Sequence, residues 1–142
     1  MEYENEKPTT FFRFEDLRVY HKALDYTAWV HKSAKHAGND PVAKSFFDRY
    51  INSAHGIALN IAEGSSRNKS QFVYYLKMAK SSVRECVVIS TVGESLHYLT
   101  EEGYNESKNQ LMEMTKMIGA LIGSLQRSVK SGEGIEDEDD ND

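Results

Sequence analysis

The sequence predicts an all-α protein folded as an up-down-up-down bundle of four helices, and three observations support that prediction. Apolar residues recur at spacings of three and four along four long stretches of the chain, which is the pattern of a helix with one buried face. Short polar breaks separate these stretches, and short connections favour antiparallel neighbours. No stretch shows the alternation of apolar and polar residues that is typical of a strand.

The first helix is predicted to run from Glu15 to His36, with acids in its first turn and bases in its last. A break follows at residues 38–41, where Asp40 is expected to cap the second helix and Pro41 to take its first position. The residues of the first helix expected to face the core are Leu17, Tyr20, Leu24, Thr27, Val30 and Ala34.

The second helix is predicted to run from Pro41 to Glu63 and to be buried on more than one side. Its main apolar stripe consists of Val42, Phe46, Tyr50, Ala54, Ile57 and Ile61. The residues that widen this stripe are Phe47, Ile51, Ala58 and Leu59. A helix that is apolar over so much of its circumference needs more than one neighbour, so we expect the additional face to contact another subunit.

The turn that follows, from Asn60 to Arg67, has the least generic sequence in the chain. Gly64 is expected to end the second helix in a left-handed conformation, which costs glycine little. Glu63 adds a negative charge where the helix dipole is already negative, and pairing with Arg67 or Lys69 would offset it. We expect Asn60 and Glu63 to hold the turn together with Arg67; the alternative is a functional polar site at these residues.

The third helix is predicted from Lys69 to Tyr98, with Asn68 as its cap. The adjacent Tyr74 and Tyr75 cannot both face the same core, so one of them is expected at the surface or at an interface. Several residues of the stripe are small, which allows close approach of a neighbouring helix. The stripe consists of Phe72, Leu76, Ala79, Val83, Cys86, Ser90 and Gly93.

The fourth helix is predicted from Glu101 to Lys130, with Thr100 as its cap. Gly119 and Gly123 lie four residues apart on one face, which favours close packing against another helix. The expected core residues are Tyr104, Leu111, Met114, Ile118, Leu121 and Leu125.

Charge divides the chain into unequal parts. The net charge is −5, with 22 acids and 17 bases. Seven of these acids and no base follow Ser131, so the rest of the chain carries 15 acids against 17 bases. We expect a flexible segment over residues 1–13, the helical domain over residues 14–130 and a disordered acidic tail over residues 131–142. The tail is expected to aid solubility; the alternative is that it screens a basic surface of the same chain.

Targeting and redox features are sparse. No apolar segment resembles a signal peptide, and no run approaches the ~20 apolar residues that a membrane span requires. The single cysteine, Cys86, cannot form an internal disulfide and lies on the apolar stripe of the third helix. We therefore expect a buried thiol in a soluble, cytoplasmic protein that has no membrane partner.

The motifs of catalysis are missing from the sequence. It contains no phosphate-binding loop, no nucleophile elbow and no zinc-protease motif, so we predict no enzymatic activity and no cofactor. Di-metal four-helix bundles need two Glu-x-x-His motifs, and only Glu94 to His97 supplies one. The other four histidines share no ligand-like spacing on one helix face, and no metal site is predicted.

Basic residues give the clearest functional indication. Five of them begin at the turn and continue along the third helix, and we predict that they bind nucleic acid because lysine and arginine attract phosphate backbones. The alternative is an ordinary solvated helix face. The five residues are Arg67, Lys69, Lys77, Lys80 and Arg84.

Three motifs and part of the third helix resemble a known family, the four-helix bundle proteins also called 23S rRNA intervening-sequence or S23 ribosomal proteins. The matching residues of the third helix are Phe72, Leu76, Ala79 and Ser82 to Glu85. Residues 14–23 match its Phe-x-Asp-Leu-x-Val-Trp/Tyr-x-x-Ala opening, and residues 60–67 match its Asn-Ile-Ala-Glu-Gly-x-x-Arg motif. Residues 121–125 resemble its Leu-Ile-x-Ser-Leu ending. The proline that usually precedes the second motif is absent at residues 56–58, and Tyr74 stands where an arginine is common.

The resemblance implies a left-handed four-helix bundle that assembles as a homopentamer. It also implies kinship with accessory variability proteins of diversity-generating retroelements, which bind a reverse transcriptase and nucleic acid. The sequence thus predicts a non-enzymatic, homo-oligomeric scaffold that binds RNA, DNA or a nucleic-acid enzyme such as a reverse transcriptase. The alternative is a protein–protein interaction module without a nucleic-acid partner.

Overall fold

Four long helices make up most of the chain, which we describe over residues 11–130 of a computed structural model. Helix α1 spans Arg18–Ser33, α2 spans Pro41–Ser65, α3 spans Lys69–Ser95 and α4 spans Glu101–Lys130. Two short 3-10 helices, Arg13–Asp16 and Ala34–Ala37, flank α1. The predicted flexible segment falls largely, and the predicted acidic tail entirely, outside the described residues.

The packing of the helices confirms the predicted four-helix bundle. Helix α2 packs most extensively against α3, α3 packs against α4, and α1 contacts both α2 and α4. Each helix therefore touches the next one in the chain, and α4 returns to α1 to close the bundle. Residues 11–130 contain no strand, and none of their helices is long and apolar enough to cross a membrane.

The three predicted N-terminal caps are all present. The Asp40 carboxylate accepts a hydrogen bond from the amide of Val42 at 3.0 Å, and Pro41 occupies the first helical position. The Asn68 side chain accepts from the amide of Gln71 at 2.9 Å. The Thr100 hydroxyl accepts from the amide of Gly103 at 2.9 Å. Side-chain oxygens thus satisfy amides that have no partner within their own helix.

Three predicted helix boundaries are wrong by three residues each. Helix α1 begins only at Arg18, because Leu17 is extended, with φ −87° and ψ 127°, and it gives way to a 3-10 helix after Ser33. Helix α3 ends at Ser95, because His97 adopts a left-handed conformation with φ 65°. The amides of the next two residues then donate to the Gly93 carbonyl, which closes the helix end.

The core follows the predicted stripe of α3, whose seven residues are all buried. Most predicted core residues of α1 and α2 are buried or half-buried, but Leu24, Val42 and Leu59 are exposed. Tyr26, which was not predicted as a core residue, is fully buried. Phe47 and Ala58 are buried within this single chain. The expectation that α2 carries a second apolar face for another subunit is therefore not supported by these two residues.

Glycines bring α2 and α3 close together, although not in the predicted manner. Gly64 does not have positive φ and lies inside α2, which continues to Ser65. A Cβ atom on Gly64 would lie 2.6 Å from the Cβ atom of Tyr75, so the residue permits close helix approach. The predicted packing role of Gly119 and Gly123 is wrong, because neither would bring a Cβ atom within 4 Å of another helix.

Three hydroxyl groups meet at the centre of the core. The Tyr26 and Tyr50 hydroxyls lie 2.8 Å apart, and both lie within 2.9 Å of the Ser107 hydroxyl. Each oxygen can donate one hydrogen bond and accept another around the triangle, which satisfies buried groups that would otherwise be costly. Cys86 is a fully buried thiol, as predicted, and burial raises its pKa to about 12.

Candidate nucleic-acid interface

The turn between α2 and α3 contains the predicted pair of Glu63 and Arg67. The guanidinium Nε of Arg67 donates to the Glu63 carboxylate at 3.1 Å, and its Nη2 donates to the same oxygen. The guanidinium also lies over the ring of Tyr75, 5.2 Å from its centroid. Hydrogen bonding to Glu63 raises the pKa of Arg67. Because Arg67 already contacts α2 and α3, it joins the two helices across the turn.

Asn60 does not reach this turn. Its side-chain amide donates to the carbonyl of Gly56 at 2.9 Å, one turn earlier in the same helix. The hydroxyls of Ser65 and Ser66 instead donate to the carbonyls of Ala62 and Glu63. Two serines therefore satisfy the last carbonyls of α2, and the predicted contribution of Asn60 to the turn is wrong.

Beyond the turn, two of the predicted basic residues reach the C-terminal end of α4. The ammonium group of Lys69 contacts the hydroxyl of Ser128. Lys77 lines a cleft between α3 and α4 together with Tyr74 and Lys130. Tyr74 is 55% exposed, whereas Tyr75 is half-buried, which agrees with the expectation that one of the two is a surface aromatic. The cleft thus combines two ammonium groups with an accessible aromatic ring.

The last two predicted residues extend the basic surface along α3. Lys80 is half-buried, and Arg84 is exposed, donating to the hydroxyl of Ser81 at 3.2 Å. Lys77 and Arg84 are seven residues apart and share a helix face. Lys69 to Arg84 covers roughly 22 Å at 1.5 Å per residue. The five predicted residues therefore form an elongated strip on the bundle.

Two segments of the chain along this strip lack acidic residues. No aspartate or glutamate occurs in residues 64–84 or in residues 114–130. Residues 69–84 belong to α3 and residues 114–130 to α4, and these helices pack against each other. The bases in the second segment, which were not among the predicted site residues, are Lys116, Arg127 and Lys130. We call the eight bases of the two segments the basic strip. The absence of acidic residues from residues 114–130 is visible in the sequence and could have indicated these three bases.

The Glu94 to His97 motif does not form a helical metal-ligand pair. His97 lies beyond the end of α3 and is exposed, so it does not share a helix face with Glu94. Within residues 11–130, no group of three histidine, cysteine or acidic side chains is placed to hold a metal ion.

The described residues form a small four-helix bundle in which the basic strip runs along α3 and α4. The chain belongs to the 23S rRNA-intervening sequence protein family, whose model matches residues 15–120. No curated protein matches the chain. The match covers all of α1 to α3 and most of α4, which confirms the family resemblance. The motif at residues 121–125 lies beyond the matched residues.

Proposed function

We propose that the chain is a non-enzymatic, homo-oligomeric scaffold that binds RNA or DNA through the basic strip. The observation that carries this proposal is the packing of α3 against α4, which brings together two acid-free segments, residues 64–84 and 114–130, that contain eight bases. One of these bases, Arg67, is already paired with Glu63. Phosphate groups bind favourably to such a surface, because each contact with a lysine or arginine releases counterions that were condensed on the nucleic acid. The exposed ring of Tyr74 beside Lys77 and Lys130 adds a platform on which a base can stack.

Salt-dependent binding provides the test. Full-length protein is titrated into labelled structured RNA and duplex DNA at several salt concentrations, and the slope of log affinity against log salt is measured. We expect the double variant Lys77→Gln/Lys130→Gln to bind more weakly, with a slope on duplex DNA that is smaller by about 0.9 for each phosphate no longer neutralised. Failure of the wild-type chain to show salt-dependent binding, with or without residues 131–142, would contradict the proposal.

A matched control separates the basic strip from general charge. The variant Lys35→Gln/Lys44→Gln removes the same charge from exposed positions outside the acid-free segments. It should bind with nearly the wild-type affinity and slope. Equally weakened binding in both double variants would indicate that only the net charge matters and that the basic strip is not a site.

Exposed apolar residues on α3 support the homo-oligomeric part of the proposal and also the alternative function. Val88, Val92 and Leu96 are 62%, 42% and 54% exposed and succeed one another at four-residue spacing. Such a patch favours contact with a protein surface, either a second copy of this chain or a nucleic-acid enzyme such as a reverse transcriptase. Light scattering should give a mass above the 16.2 kDa of one chain.

The alternative is a protein–protein interaction module that does not bind nucleic acid. Capture of a protein partner that persists after nuclease treatment, together with the absence of salt-dependent nucleic-acid binding, would favour it. The variant Val88→Ser/Val92→Ser should then lose the partner, while Lys77→Gln/Lys130→Gln should keep it. The opposite pattern would favour nucleic-acid binding through the basic strip.

A further inference from the structure

Two exposed histidines from different helices meet on the side of the bundle formed by α1 and α2. The Nε2 atoms of His31 and His55 lie 3.0 Å apart, and the ring centroids lie 5.3 Å apart with the ring planes inclined by 66°. The two residues are 24 positions apart in the chain. Spacing rules within a single helix therefore cannot reveal the pair, and neither histidine belongs to the basic strip.

The neighbouring packing fixes the two backbones that carry these rings. One turn before His31, the hydroxyl of Thr27 donates to the carbonyl of Ala54 at 3.3 Å, and to that of Ala23 at 2.8 Å. Ala54 is fully buried and directly precedes His55. The helices are thus in close contact immediately beside the pair, and the rings project outward from that contact to solvent.

We propose that His31 and His55 form a binding site for a divalent first-row transition ion, with copper and nickel as the best fits. In the neutral pair one Nε2–H group donates to the Nε2 lone pair of the other ring. An ion bound by both rings would take the place of that shared proton, and the exposed rings would turn so that both nitrogens reach it at about 2.0–2.1 Å. Imidazole nitrogen is a preferred ligand of copper, nickel and zinc.

The distance between the nitrogens selects among these ions. With metal–nitrogen bonds of about 2.0–2.1 Å, two ligands at a right angle are separated by about 2.9 Å, and two at the tetrahedral angle by about 3.4 Å. The observed 3.0 Å matches the nitrogen separation of the right-angled positions of tetragonal copper or nickel. The ring centroids are 5.3 Å apart, which shows that the two nitrogens face each other head-on, so both exposed rings must turn away from the line between the nitrogens to bind one ion. Zinc in tetrahedral geometry requires the rings to separate by about 0.4 Å.

The site is open rather than closed. No group of three candidate ligands is assembled within residues 11–130, so the protein supplies two ligands and water completes the coordination. Binding would join α1 to α2 and would stabilise the folded chain, because an ion that binds only the native state shifts the unfolding equilibrium. Such a site exchanges its ion readily and differs from the structural sites of zinc-dependent folds.

Copper and nickel titrations of the full-length chain test this assignment. We expect one ion per chain by calorimetry, two coordinated imidazoles in the electron spin-echo spectrum of bound Cu²⁺, and a melting temperature raised by roughly 5–10 °C at a hundredfold excess over the dissociation constant. His31→Ala and His55→Ala should each abolish the stabilisation and lower the affinity at least tenfold.

A third histidine provides the matched control. His36→Ala removes another exposed imidazole from the segment after α1 and should leave the affinity and the imidazole count unchanged. The assignment is overturned if His31→Ala binds as tightly as the wild type, or if the wild-type spectrum shows no more than one imidazole. The spectrum of the wild type decides the question even if a substituted chain fails to fold.

Discussion

The buried hydroxyls of Tyr26, Tyr50 and Ser107 show how one polar position can specify a core. They come from α1, α2 and α4, and each lies within 2.9 Å of the other two. Sliding or rotating any of these helices would leave a buried hydroxyl without its partners, at a cost of about 1–3 kcal/mol. The triangle therefore fixes the relative register of three helices more strictly than apolar contacts alone.

Removal of one hydroxyl should reveal this role. We expect Tyr50→Phe to lower the free energy of unfolding by about 1–3 kcal/mol, because Tyr26 and Ser107 each lose a partner while the ring still fills the core. Urea denaturation measures the change. The variant Tyr74→Phe removes a hydroxyl from an exposed ring and should have almost no effect; equal effects in the two variants would show that the triangle contributes nothing.

Two of these buried hydroxyls, those of Tyr26 and Tyr50, and the buried thiol of Cys86 predict how stability depends on pH. Burial raises the pKa values of Tyr26 and Tyr50 above 10.0, and that of Cys86 from 9.0 to about 12. Unfolded chains release these protons near pH 9–10, while the folded chain still holds them. Stability should therefore be fully present below about pH 9 and decline as the pH rises, by up to about 1.4 kcal/mol per pH unit for each group.

Denaturation curves from pH 7 to pH 11 check this prediction. Cys86→Ala should remove the part of the decline that begins near the thiol's unfolded value, and Tyr50→Phe should make the slope above pH 10 shallower. Stability that stays constant up to pH 11 in the wild type would contradict the assignment of these groups as neutral and desolvated in the fold.

At the scale of the element, close packing of α2 on α3 depends on positions without a side chain. A Cβ atom on Gly64 would lie 2.6 Å from the Tyr75 Cβ atom and 2.9 Å from the Phe72 ring, and one on Gly93 would lie 2.7 Å from the Phe46 ring. Backbone-proximal atoms such as a Cβ cannot move away as the end of a flexible side chain can. At Gly64 the two helices can approach this closely only because glycine occupies the position, whereas the atom nearest to Gly93 is the end of the Phe46 side chain.

Two alanine substitutions that should change the free energy of unfolding in opposite directions test this interpretation. Gly64→Ala should lower the free energy of unfolding by about 1–3 kcal/mol, because the helices must separate to accept the methyl group. Gly119→Ala places a methyl group on an exposed helix position with nothing within 4 Å and should raise it by about 0.5–1 kcal/mol. Thermal or urea denaturation of both variants measures the changes; similar signs would contradict the role of Gly64 in helix packing.

These glycines also show how far the sequence determines the fold. The four helices, three caps and the stripe of α3 were predictable because periodicity and capping are local. The roles of Gly64 and Gly119 were not, because the distance between two helices depends on residues that are far apart in the chain. The burial of Tyr26 has the same origin, because its hydroxyl contacts Tyr50 and Ser107 on two other helices.

The basic strip was only partly predictable for a related reason. Bases along α3 stand out in the sequence because their spacing places them on one helix. Lys116, Arg127 and Lys130 belong to the same surface only after α4 has packed against α3, and no local pattern in the chain indicates that pairing directly. The His31–His55 contact joins two helices in the same way and was invisible to any rule based on spacing within one helix.

At the scale of the whole molecule, residues 11–130 have a positive net charge and residues 131–142 a negative one. Residues 11–130 contain 16 bases and 12 acids, a net charge of +4, whereas residues 131–142 contain seven acids and no base. The acidic residues begin directly after α4, whose last residue, Lys130, lines the cleft with Lys77. A segment of 12 residues can extend over roughly 40 Å, which exceeds the length of the strip from Lys69 to Arg84.

This arrangement predicts that the acidic residues compete with nucleic acid for the basic strip. Removing residues 131–142 should raise the affinity for duplex DNA at least threefold near 50 mM salt, and the difference should shrink as salt screens the competing charges. Binding curves of the two chains across a salt series measure the effect. A variant with the seven tail acids changed to asparagine or glutamine keeps the length and should behave like the truncated chain. Equal affinities for all three chains, with salt-dependent binding intact, would show that the acidic residues serve solubility alone while the basic strip still binds nucleic acid.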